Sequence, residues 1–274
     1  VSEALVILHR DDHLVAIDKP AGLLVHRSDL DRAERRFAVQ LLRDQLGQPV
    51  HPVHRLDRGT SGVLLFALDA ATARDLGRQF ESGEVAKRYL AVVRGWPDES
   101  GTIDHAMVPD PDERAGIGSR EAQAAVTRYR RLATVELPYS VDRHPTSRYA
   151  LVELEPLTGR RHQLRRHMKH IAHPIVGDAT HGKGVHNRFF RDVLGCDRLL
   201  LSCVGLTVRH PGSGCALELT AGPGVAFEAL LARFGWTDQA RRSIQRAWPR
   251  ARSTHAGQAP QPWPQECSAP RSPR

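Results

Sequence analysis

Apolar positions recur along this chain at two spacings, and the changes between them mark out strands and helices. From Ala4 to Asp18 the pattern predicts two short strands around a turn at Asp11-Asp12, and Lys19-Pro20-Ala21-Gly22 ends the second. Asp31 to Leu46 reads as a helix, because Phe37, Leu41, Leu42 and Leu46 fall at helical spacing and Gly47 follows. Val63 to Leu68 is a continuous apolar run between Gly62 and Asp69, which suits a buried strand. Asp69 can cap a helix running to about Phe80. Further strands are expected over Lys87 to Arg94, Ala125 to Val135 and Tyr149 to Leu154. Gly101 to Glu121 reads as a loop, and Pro138 to Ser147 as a polar insertion. Thr158 is placed to cap a helix from Arg160 to about Ile171, with Pro174 just beyond. Leu199 to Val208 and Ala216 to Leu219 form a closing pair of strands, and Val225 to Phe234 a last helix. Strands and helices mix without regular βαβ alternation, so the fold class is α+β.

After Trp236 the pattern stops, and Pro, Arg, Gln, Ser and Ala dominate. Such a segment buries too little apolar surface to offset its ordering entropy. The expected organisation is therefore one packed domain over 1–236 and a disordered basic tail over 237–274.

Composition adds a partner class. The chain has 274 residues, 41% of them hydrophobic, and a formal net charge of +8. A basic surface attracts polyanions, nucleic acid first. No stretch approaches about 18 consecutive apolar residues, and the first residues lack a signal-peptide pattern, so a cytoplasmic protein without a membrane partner is expected. Cys196, Cys203, Cys215 and Cys267 form no C-x-x-C pair, which points to packing thiols.

Three segments carry candidate chemistry. Pro52 and Gly62 bracket a polar turn ahead of the apolar strand, with Asp57 between Arg55 and Arg58. By itself this reads first as a turn aspartate neutralised by neighbouring arginines. Tyr89 lies in a strand, where a tyrosine usually fills the core. Arg161, Arg165 and Lys169 repeat every fourth residue and would share one helical face, with Arg160 and Arg161 near the helix start. That face is either solvated or phosphate-binding. His162, His167, His170 and His173 are joined by no carboxylate or cysteine at clear ligand spacing, so no metal is expected.

The run His54-Arg55-Leu56-Asp57-Arg58-Gly59-Thr60-Ser61-Gly62 resembles the signature of the RluA-type pseudouridine synthases. Lys87-Arg88-Tyr89-Leu90-Ala91-Val92-Val93 and Leu157-Thr158-Gly159-Arg160-Arg161-His162-Gln163-Leu164-Arg165 are similar to two further motifs of that family. The resemblance implies a mixed, mostly antiparallel central sheet with flanking helices and an active-site cleft. It implies Asp57 as the catalytic carboxylate, Tyr89 against the target base, and Arg165 paired with Asp57. Arg55 would help displace the base. His54 belongs to the motif, and with Arg160, Arg161 and Lys169 it is a candidate RNA contact. No cofactor is implied, and a monomer is expected. His26 to Arg32 and Thr180 to Phe190 look like the TruC subgroup, which isomerises uridine 65 near the acceptor stem of transfer RNA. The insertion before Tyr149 fits the same subgroup. A ribosomal-RNA enzyme of the same family and a non-catalytic RNA-binding protein on this scaffold are the alternatives. A hydrolase using His54 and Asp57 lacks a nucleophile motif.

Overall fold

The computed structural model describes residues 4–26, 36–109 and 121–247. Ten strands form one mixed sheet in these residues. They are β1 (Val6–Arg10), β2 (Leu14–Lys19), β3 (His51–Pro52), β4 (Ser61–Ala67), β5 (Ala86–Arg94), β6 (Ser100–Asp104), β7 (Val126–Leu137), β8 (Ser147–Pro156), β9 (Leu201–Arg209) and β10 (Ala216–Thr220). The order is β1-β2-β4-β9-β5-β8-β7-β6, with β10 on β9 and β3 on β4. Only β4 and β9 run parallel, in register Ser61↔Ser202 and Gly62↔Cys203. The α+β class and the mostly antiparallel sheet are therefore as the sequence implies.

Both faces of the central strands are buried, and residue alternation assigns each side chain to one of two cores. Along β5, Tyr89, Ala91 and Val93 join the first core, while Leu90 and Val92 join the second. The first core is closed by α1 (Ala38–Leu46), α2 (Ala70–Glu81) and α3 (Gln163–His170), through Leu42, Leu76, Leu164 and Met168. The second is closed by α4 (Gly184–Asp192), α5 (Val225–Arg233) and α6 (Thr237–Gln245), through Phe189, Phe190, Phe227, Leu230 and Ala240. Asp69 caps α2 as expected: its Oδ1 accepts the Ala71 and Thr72 amides at 2.8 and 2.9 Å.

Four expectations change. The segment from 101, expected as loop, opens with β6, whose Gly101 lies under the Tyr129 ring where a Cβ would come within 2.7 Å. The helix expected from Arg160 begins at Gln163, because His162 takes a left-handed backbone (φ 53, ψ 20). Thr158 does not cap it. Its Oγ1 accepts the Val126 amide at 3.0 Å and donates to Gln163 Oε1 at 2.7 Å, which ties the turn to β7. The stretch 184–192, given no element from sequence, is α4.

The largest correction concerns the tail. Residues 237–245 are helical, not disordered, and Ala240 and Ser243 are buried. Arg88 is 1% exposed and donates to the carbonyls of Ser243 (2.8 Å) and Arg246 (2.7 Å). Arg246 in turn donates to Glu153 at 2.7 Å and Glu155 at 2.8 Å. A polar composition hid this segment because ion pairs and backbone carbonyls, as well as apolar area, hold it. The packed unit extends past 236, and residues 248–274 lie outside the described part. So do residues 31–35 of the expected first helix and most of the His26 to Arg32 segment.

Candidate active site

Asp57 lies in the loop between β3 and β4, and several bonds hold that loop in place. The Thr60 amide donates to the Asp57 carbonyl at 3.1 Å, and the Gly22 amide to the Arg58 carbonyl at 2.8 Å. Lys19 is fully buried, and its Nζ donates to the carbonyls of Leu23 (2.7 Å), Pro20 (2.9 Å) and Arg58 (3.3 Å). Burial pulls the Lys19 ammonium down to about 7, although the Asp57 carboxylate pulls the other way. The Lys19-Pro20-Ala21-Gly22 turn therefore braces the loop as well as ending β2. Gly62 closes the loop at φ +102, and a Cβ there would lie 2.1 Å from the Cys203 carbonyl oxygen. Only glycine lets β4 approach β9 so closely at this point.

A cavity of about 660 Å³ opens above the loop, between the end of α2 and the turn before α3. That is within the usual range for ligand sites. Asp57, Tyr89, Arg165, Arg55, Arg160 and Arg161 all line it. Tyr89 is 8% exposed at its floor, and burial pushes its phenol well above 10.

Arg165 joins two carboxylates. Its Nη1 donates to Asp57 Oδ2 at 3.0 Å, while its Nε and Nη2 hold Asp178 bidentately at 2.7 Å each. A bidentate guanidinium–carboxylate pair fixes orientation as well as charge. Burial pushes the Asp178 carboxyl up, but Arg165 and the His181 and Thr180 amides more than offset this and hold it below the usual range. Asn187 clamps the same turn: its Oδ1 accepts the Gly177 amide at 2.9 Å, and its Nδ2 donates to the Asp178 carbonyl at 2.8 Å. The Asp57–Arg165 pairing implied by the resemblance is present. Asp178, the larger anchor of Arg165, was not singled out from sequence; its only signal was Gly177-Asp178 after Pro174.

Two sequence candidates do not reach this role. His54 accepts the Leu65 amide at its Nε2 (3.0 Å) and stacks on Phe80 at 4.7 Å, and burial pushes it down to about 3. It is a neutral group committed to the backbone of β4, although its side chain also lines the cavity. Lys169 is exposed and does not line the cavity. The shared face of Arg161, Arg165 and Lys169 does not form, because Arg161 precedes the helix and Arg165 turns inward. One residue was underrated. His162 lines the cavity with its Nε2 3.8 Å from Asp57 Oδ1.

Among the described residues no group of three or more His, Cys, Asp or Glu is arranged to hold a metal ion. No helix among them is long and apolar enough to cross a membrane.

Comparison with known proteins gives this geometry a family. The family model for RNA pseudouridylate synthase matches residues 13–170. The proteins named tRNA pseudouridine synthase C from Vibrio cholerae and Haemophilus ducreyi are 49% and 51% identical, over 85% of this chain and 97% and 96% of theirs. Two solved human proteins, RNA pseudouridylate synthase domain containing 1 and 4, superpose with TM-scores of 0.62 and 0.63. They are 28% and 29% identical, and the matches cover 80% and 84% of this chain and 84% and 93% of theirs. The family match takes in the Asp57 loop, Tyr89 and Arg165 together, and on these grounds the chain belongs to the RNA pseudouridylate synthase family.

Proposed function

We propose that this protein isomerises a uridine of transfer RNA to pseudouridine, with Asp57 as its catalytic carboxylate. The carrying observation is the Asp57–Arg165–Asp178 chain on the wall of a cavity whose floor is Tyr89. Relatives about half identical along nearly their whole length, named tRNA pseudouridine synthase C, support transfer RNA as the substrate class. The likeness of 180–190 to the TruC subgroup supports uridine 65 near the acceptor stem. Proteins of this kind need no net redox change, since uridine and pseudouridine are isomers.

The target nucleotide leaves its stack at a cost of a few kcal/mol and enters the cavity. Arg55, Arg160 and Arg161 at the rim offset that cost by binding phosphates. Arg165 holds Asp57 aimed at the sugar while the bond from C1′ to N1 opens. Tyr89 offers a ring face to the uracil as it turns and rejoins through C5.

The test follows tritium release from transfer RNA carrying C5-labelled uridine, together with mapping of the modified position. Asp57→Asn should abolish release while RNA binding stays within a few-fold of wild type. Near-normal release by that variant would overturn the mechanism. Modification of ribosomal RNA alone would overturn the substrate assignment.

A further inference from the structure

We propose that a small cleft beside the cavity, walled by Arg160, Arg161 and Arg166, is a second RNA subsite that holds a backbone phosphate next to the extruded uridine. It rests on the reading that this chain isomerises a uridine in RNA, and it adds where the strand runs once the base has entered the cavity. The cleft has a volume of about 190 Å³. Met107, Val108 and Gln123 form one wall, and Gly159 to Arg161 with Arg166 form the other. Gly159, Arg160 and Arg161 also line the Asp57 cavity, so the turn before α3 is a ridge with a pocket on either side. A strand whose uridine fills the larger pocket brings its neighbouring nucleotides over this ridge.

Backbone bonds build the far wall and tie two of the guanidiniums to it. The Met107 amide donates to the Gln123 carbonyl at 2.8 Å, and the Gln123 amide to the Met107 carbonyl at 2.9 Å. Arg166 Nη1 donates to the Val108 carbonyl at 2.9 Å, and Arg160 Nε to the Ala124 carbonyl at 3.2 Å. A carbonyl fixes a guanidinium in place without cancelling its charge, and each guanidinium carries five N–H donors. Among the described residues neither Arg160 nor Arg166 forms an ion pair with a carboxylate, and no carboxylate lines the cleft. Arg165, by contrast, bonds two.

The lining selects a phosphate over a base. Guanidiniums match phosphate oxygens in bidentate geometry. Among the described residues no aromatic ring lines the cleft, so it offers a base no surface to stack on. Its volume lies below the roughly 300 Å³ at which small-molecule sites usually begin, which suits a phosphate group rather than a nucleoside. A contact of this kind sets the position of the strand without reading its sequence. The neighbouring cations of α3 serve other ends. Arg165 turns inward to Asp57 and Asp178, and Lys169 is exposed and lines neither pocket. Arg166 is thus the α3 cation aimed at the cleft, and sequence pattern alone did not single it out.

The experiment measures RNA binding across a salt series for wild type and Arg166→Gln. The ligands are unmodified transfer RNA and transfer RNAs with an uncharged methylphosphonate linkage placed singly at the phosphates on either side of the target uridine. On unmodified RNA, Arg166→Gln should lower the slope of log affinity against log salt by about 1. One of the uncharged linkages should lower the wild-type slope by a similar amount and change the variant little, because both substitutions remove the same contact. A variant slope equal to wild type overturns the proposal, and so do losses that add at every linkage. If Arg166→Gln does not fold for want of its bond to Val108, Arg160→Gln takes its place with the same deciding outcomes. A wild-type enzyme that leaves transfer RNA untouched but isomerises another RNA overturns only the substrate assignment. The slopes are then read on that RNA.

Discussion

Arg165 bonds two aspartates that sit in unlike surroundings. Asp178 is fully enclosed and bidentate, whereas Asp57 keeps 21% of its side chain exposed and one bond to the guanidinium. Removing one partner of a buried pair leaves an uncompensated charge and costs about 3–5 kcal/mol. Asp178→Ala is therefore expected to lower unfolding free energy by about that amount, read from urea midpoints. Asp57→Asn should cost about 1 kcal/mol or less, because Arg165 retains both bonds to Asp178. The stability difference carries a pH signature. The Asp178 carboxyl is held below the usual range, so its contribution is complete above the ordinary carboxylate pKa of about 3.9. It is lost as pH falls through the lowered folded value. The gap between wild type and Asp178→Ala should thus be flat from neutral pH to about 5 and should shrink below about 4. A gap that widens in acid would show that Asp178 is not the ionised partner.

At the scale of elements, close approach and long-range pairing determine what local pattern leaves open. The Asp57 loop ends where β4 meets β9, and Gly62 is the point of contact. The paired strands and the capped α2 were legible because period and capping chemistry are local signals, whereas the Asp57–Arg165 link, 108 residues apart in the chain, was legible only through the family resemblance. The helix start at Gln163 was not, because His162 takes a left-handed conformation that no propensity marks. Nor was Asp178, whose partner lies 13 residues away across a turn. The segment after Trp236 misled for a different reason. Its arginines looked like a solvated tail, yet Arg246 and the carbonyls of α6 are the partners of the buried Arg88 and Glu153. Truncation after Trp236 removes those partners. It should lower the melting temperature markedly relative to truncation after Ala247, which keeps α6 and Arg246. Equal melting temperatures for both truncations would mean that α6 contributes nothing to the packed unit.

Across the whole molecule the question is where the net charge of +8 acts. The cavity is lined by five cationic side chains, Arg55, Lys87, Arg160, Arg161 and Arg165, against the acidic Asp57 and Glu81. Arg165 is spent on carboxylates and Lys87 points to the Thr158 carbonyl, and Arg55, Arg160 and Arg161 are the rim side chains proposed to meet the RNA backbone, with Arg160 also donating to the Ala124 carbonyl at 3.2 Å. Each phosphate neutralised releases counterions, so binding weakens with salt in proportion to the number of contacts. Losing one such contact lowers the slope of log affinity against log salt by about 1. Arg160→Gln with Arg161→Gln should therefore lower the slope by about 2 and weaken all RNAs alike. The chemistry proposed for Asp57 should continue at saturating RNA, since the guanidinium bonded to Asp57 is that of Arg165. Lys169→Gln, exposed on α3 outside the cavity, should leave the slope unchanged. Filter binding across a salt series measures all three slopes. If the Lys169 variant loses as much slope as the double variant, the RNA track runs along α3 rather than into the cavity.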